Sequence, residues 1–150
     1  KRPTPLYFCP FFPEVSSMIW IKSLETGVPK IDEQHKELFR QADNLVDKSK
    51  AGAVDSTLNF LKGYVAKHFS DEEILHRVSA YPKADFHKKL HEEFSSALRG
   101  LLAQYQAASN KQPVVLSINS AVVAWLRDHI MKHDKEFSNY YLSKQAQPKK

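Results

Sequence analysis

Apolar residues along most of this chain recur at three- and four-residue steps, the period of a helix face rather than the alternation of a strand. Four such stretches predict an all-helical fold. The first starts near Asp32, read as an N-cap, and buries Leu38, Phe39, Ala42, Leu45 and Val46 before Ser49-Lys-Ala-Gly52 ends it. A second runs from about Asp55 to Val78, with Leu58, Leu61, Val65 and Leu75 inward. Tyr81-Pro82 then breaks the chain, and a third helix carries Phe94, Leu98, Leu101 and Tyr105 on one face as far as about Ser109. After Asn110-Lys-Gln-Pro113 the fourth places Ile118, Val122, Trp125 and Phe137 inward and ends near Leu142. Connections of about three to six residues make neighbours antiparallel, which gives an up-down-up-down four-helix bundle. Residues 1–17, with prolines at 3, 5, 10 and 13, show no helical pattern. They read as an irregular extension or linker, residues 18–142 as the bundle and residues 143–150 as a basic tail.

The chain has 150 residues, the size of one domain. Its apolar runs fall short of the ~20 residues a membrane helix needs, so no membrane insertion is expected. A single cysteine, Cys9, excludes an intrachain disulfide and any thiolate metal cluster, and fits a cytoplasmic location. The net charge of +5 divides into +1 for residues 1–17, +3 for residues 143–150 and only +1 for the segment between. The folded part therefore lacks the basic face that nucleic-acid binding requires.

The seven histidines change the picture. In the second helix the inward series Val54, Leu58, Leu61, Val65, His68, Glu72, Leu75 puts an imidazole and a carboxylate at core positions. His87 and His91 share the stripe of Phe94 and Leu98, His129 follows Trp125 by one turn, and His35 precedes Leu38 by one. Unpaired ionisable groups in a core cost several kcal/mol, roughly, unless something compensates them. In an antiparallel bundle these positions and Asp134 fall in one layer, roughly 6 to 18 Å from one end at ~1.5 Å per residue. Five imidazoles and two carboxylates exceed the four ligands of a tetrahedral zinc, and a thiolate-free set of this kind suits iron at two positions. Spacing favours His133 over Asp134 as the partner of His129, because five residues span about 140° of an α-helix and four bring a side chain back to the same face.

From Trp20 through Thr26-Gly-Val-Pro-Lys-Ile-Asp-Glu-Gln-His35, then His68-Phe-Ser-Asp-Glu72-Glu, Tyr81-Pro82, His87 with His91, and His129-Ile-Met-Lys-His-Asp134, the chain resembles a bacterial-type hemerythrin domain. The resemblance implies that His87, His91 and His129 bind one iron and His35 and His68 the other. Glu72 and Asp134 would bridge both, beside an oxo or hydroxo group. It also implies transfer of two electrons from the diferrous pair to dioxygen, with His133 left outside the ligand set. Leu38, Phe69, Trp125, Ile130 and Met131, next to the ligands, would form an apolar wall around the dioxygen position.

One residue departs from the family pattern, for His76 stands where that family usually has Leu, Met or Phe. It is expected inward, one turn beyond Glu72, either as a neutral hydrogen-bonded imidazole or as a group delivering protons to the centre. The expected function is dioxygen binding by a carrier, store or sensor rather than catalysis, with a signalling domain upstream favouring the sensor. The alternatives are a diiron enzyme reducing peroxide or oxidising iron or a small substrate, served by His76 or Tyr64, and a metal store.

Overall fold

The computed structural model describes residues 20–47 and 52–147. After a 3-10 turn at Lys22–Leu24 come α1 (Pro29–Val46), α2 (Val54–Val78), α3 (Ala84–Ala107), α4 (Gln112–His129), a π-helical turn (Ile130–Asp134) and α5 (Lys135–Gln145). There is no strand among the described residues. The expected irregular segment 1–17 and most of the Ser49–Gly52 stop signal lie outside the described residues.

α1 packs against α2 and α4, and α3 against the same two, so the four rods form a ring around one core. Contacts at one end of the bundle show the rods running antiparallel. Tyr105 late in α3 donates to Asp55 at the start of α2 (3.0 Å), and Asn119 early in α4 donates to the carbonyl of Ala42 late in α1 (2.6 Å). The core between them is built from the predicted stripes, among them Leu38, Phe39, Leu58, Leu61, Phe94, Leu98, Ile118 and Val122.

Two details differ from expectation. α1 begins at Pro29, three residues before Asp32, because proline suits the first turn, where its missing N–H leaves no bond unmade. Asp32 lies in that turn and faces backwards, accepting from the amide and hydroxyl of Thr26 (2.7 and 2.9 Å) and the amide of Gly27 (3.1 Å). Gly27, at a φ of 85°, makes this reversal without side-chain strain. At the end of α2, Leu75 is only half-buried and the inward place belongs to His76.

The predicted fourth helix is one continuous rod over residues 112–145, but it is not α-helical throughout. Between His129 and Lys135 it widens into the π turn, with the amide of Lys135 donating to the carbonyl of Ile130, five residues back. By length and composition this rod could cross a membrane, the one such helix among the described residues. Its apolar side chains Val115, Ile118, Val122, Val123, Leu126 and Ile130 are core residues of the bundle.

Candidate metal centre

α2 ends where α3 begins, α1 begins where the fourth rod turns π-helical, and the seven expected donors meet at that level. His35, His68, Glu72, His87, His91, His129 and Asp134 are all buried. Their donor atoms form two groups, each with all its atoms within 4.8 Å of one another. Glu72, His87, His91, His129 and Asp134 make the first, and His35, His68 and Asp134 the second.

Three imidazoles aim Nε2 at one point in the first group. His129 Nε2 lies 2.7 Å from His87 Nε2 and 3.2 Å from His91 Nε2. Glu72 Oε2 stands 3.2 Å from His91 Nε2 and 3.7 Å from His87 Nε2. Asp134 Oδ1 is 3.1 Å from His87 and 3.0 Å from His129, while its Oδ2 turns the other way, 3.0 Å from His35 Nε2. Asp134 thus has one oxygen in each group. Glu72 is within reach of the first group only, and its Oε1 is buried without a partner.

The spacing argument for His133 fails because it assumes an unbroken α-helix. The π turn takes one extra residue per turn, so residue i+5 returns to the face of residue i, and Asp134 comes round beside His129. His133 is displaced to a half-buried position against the rings of Phe86, His87 and His129, outside both donor groups. In the sequence, the five-residue gap between a core histidine and an acid was the sole trace of this turn.

The chemistry of the cluster fits cations. Both oxygens of Glu72 and of Asp134, and Nε2 of His35 and His68, are buried without an aligned hydrogen bond, although opposite donors and acceptors stand near 3 Å. A protein that relied on hydrogen bonds here would orient these groups towards one another; lone pairs converging on a common point need a positive charge there. The electrostatics agree. Burial, then neighbouring His35, pushes His68 down to about 3, and burial, then His87 and His129, lowers His91 strongly, so both rings stay neutral and able to donate. Burial, then Asp134, pushes Glu72 well above the usual carboxylate range. Burial would raise Asp134 as well, but His129, His35 and His87 hold it well below.

Aromatic rings fix the imidazoles. Phe69 lies flat on His91 (centroids 3.9 Å apart, planes at 2°) and Trp125 on His129 (4.1 Å, 15°). Leu38 and Ile130 are fully buried nearby in the core cluster. Met131 does not join them: it is 49% exposed, because two residues beyond His129 the rod turns its outer side to solvent. Trp20, not foreseen in this role, stacks on His35 (6.2 Å). Also unforeseen were Gln34 and Glu73, each adjacent in sequence to an expected donor and each bonded to a different donor's ring, as set out below; adjacency to a donor was the available signal.

His76 is buried at 1% exposure, with its ring against His87 (4.5 Å), Phe137 (4.2 Å) and Tyr81 (5.2 Å). Burial, then His87, holds it down to about 3, so it is neutral at neutral pH, and neither ring nitrogen has a hydrogen-bond partner. The ring is neutral, as the first of the two sequence expectations has it, but without the hydrogen bond which that expectation included. Tyr64 is stacked on Phe60 (5.2 Å), and it is in neither donor group.

Comparison with known proteins points to one family. Residues 26–141 match the family model described as Hemerythrin HHE cation binding domain. A myohemerythrin of Theromyzon tessulatum is 31% identical over 118 residues, covering 79% of this chain and 88% of that protein. A myohemerythrin of Sipunculus nudus is 30% identical over 133 residues, covering 89% and 98%. A bacteriohemerythrin of Pseudomonas aeruginosa is 28% identical over 123 residues, covering 80% and 78%.

Proposed function

The chain belongs to the hemerythrin family, and on that premise we propose that it binds dioxygen at a pair of non-haem iron ions, as a carrier, store or sensor. The observation that carries this reading is the pair of buried donor groups joined through the two oxygens of Asp134. His87, His91 and His129 would hold one ion, His35 and His68 the other, and Asp134 both, while Glu72, which stands in the first group through Oε2, would reach the second ion through its unpartnered Oε1, with an oxo or hydroxo bridge beside them. A thiolate-free set of imidazoles and carboxylates suits iron, and the two acids answer part of the charge of two cations. When bound, such a pair supplies two electrons to dioxygen and recovers them on release.

The rest is the work of the chain. Two imidazoles facing three leave the His35–His68 position with fewer protein donors, and that is where a small ligand is accommodated. Leu38, Phe69, Trp125 and Ile130 form the apolar wall, without Met131, and exclude water from the donors. The ring stacks of Trp20, Phe69 and Trp125 hold three of the imidazoles in one orientation. One cysteine in the whole chain suits a reducing cytoplasm.

Elemental analysis of the purified holoprotein should give two irons per chain. Anaerobic reduction followed by air should produce a visible absorption change that reverses when oxygen is removed. One zinc per chain with no iron uptake overturns the metal assignment. Immediate irreversible oxidation with repeated turnover of peroxide replaces carriage by oxidase or peroxidase chemistry.

A further inference from the structure

The two donor groups differ in what stands behind their imidazoles. In the first, His91 Nδ1 lies 3.1 Å from Oε1 of Glu73. A carboxylate only accepts, so His91 carries its proton on Nδ1 and presents a bare Nε2 to the centre, where Glu72 and His129 face it. In the second, His68 Nδ1 lies 3.1 Å from Oε1 of Gln34. The amide is oriented from its far side, where Gln34 Nε2 donates to Asp71 Oδ2 at 2.6 Å, so Oε1 accepts from His68. Asp71 is in turn met by Lys30 (3.1 Å) and Lys67 (2.6 Å). Negative charge therefore touches one imidazole directly, while at the other it arrives through an amide and is opposed by two ammonium groups.

A carboxylate on the far nitrogen raises the basicity of a metal-bound imidazole, and an amide does so less. We propose that Glu73 is a positioning residue that makes His91 the stronger donor and biases the His87–His91–His129 position towards the more highly charged metal state, with Gln34 as its weaker counterpart at the His35–His68 position. The proposal rests on the metal assignment above. Glu73 is placed for this role at the edge of cavities of about 320 and 310 Å³ that open along the α2–α3 seam, with one side of its carboxylate towards water and the other on the buried ring.

The test uses the full chain and three variants. Glu73→Gln keeps an acceptor oxygen at the same reach and removes the charge; Glu73→Ala removes both; Gln34→Ala removes the counterpart. The reduction potential of the iron-loaded protein, followed by visible absorption, should rise in Glu73→Gln and rise further in Glu73→Ala, with a smaller shift in Gln34→Ala. Metal-free protein titrated with Co(II) against a chelator should bind roughly 10- to 100-fold more weakly in Glu73→Ala. A potential in Glu73→Gln equal to that of the wild type overturns the proposal, and because this variant is isosteric it remains decisive if Glu73→Ala fails to fold. A wild type that takes up no pair of Co(II) ions overturns the metal assignment itself, and the proposal with it.

Discussion

Asp134 spends its two oxygens on different neighbours, Oδ1 on His87 and His129 and Oδ2 on His35, so shortening it disconnects the two halves of the centre. Asp134→Ala should lose iron or its bridged-diferric absorption, whereas His133→Ala, altering a ring outside both groups, should keep both; metal content and visible spectra of the two variants decide. His76 acts on stability rather than on ligation. It titrates near 6.5 in the unfolded chain but only near 3 when folded against His87, His91, Tyr81 and Phe137, so between those values the unfolded state binds the extra proton. Its contribution is therefore lost progressively as pH falls from about 6.5 towards 3. In denaturant titrations of the metal-free protein, His76→Leu should be more stable than the wild type at pH 5 and show a shallower acid dependence, by about one proton. An unchanged slope contradicts this. At this scale the histidines were readable because imidazole on an apolar stripe is conspicuous. Gln34 and Glu73 were not, since polar residues on a helix flank look the same whether they face water or a ring.

The helices owe their legibility to period, and the miss at His133 was a miss of period. Before His129 the rods keep the α-helical period, with Leu75 giving its inward place to His76, and the π turn broke it in the place where the site required a carboxylate. The junction of α2 and α3 was read only as a break at Tyr81-Pro82. The structure makes it a specific closure: the amide of Tyr81 donates to the carbonyl of His76 (2.9 Å), that of Ala80 to Arg77 (3.2 Å), and the Tyr81 ring packs on His76. Ala80 pays for this turn with a φ of 53°, and the Tyr140 hydroxyl braces it at 3.0 and 2.9 Å from the carbonyls of Ser79 and Ala80. Ala80→Gly should relieve the strain and stabilise the protein by about 0.5–1 kcal/mol, with metal content unchanged. A lower melting temperature in this variant would show that the turn is not strained.

The whole molecule couples its fold to what it holds. Without cations, five imidazoles and two carboxylates remain crowded in a core with few aligned hydrogen bonds, so removal of metal by a chelator should lower the melting temperature, and restoring two equivalents of iron should recover it. Equal melting of the two forms contradicts this. The ring of antiparallel rods was foreseeable because short connections and four stripes leave few other arrangements, and the common level of the donors followed from counting residues. That Asp134 stands in both groups was expected from the family resemblance and not from spacing, since it depends on a local backbone detail. His35 meets Asp134 at 3.0 Å from the opposite end of the sequence, and every rod contributes a donor between them. A growing chain emerging from the ribosome therefore holds only the one-turn pairs His68–Glu72 and His87–His91 until the fourth rod is made. Neither position closes before residue 134 has been synthesised and docked, because Asp134 belongs to both donor groups. Loading of the finished centre is thus a post-translational event.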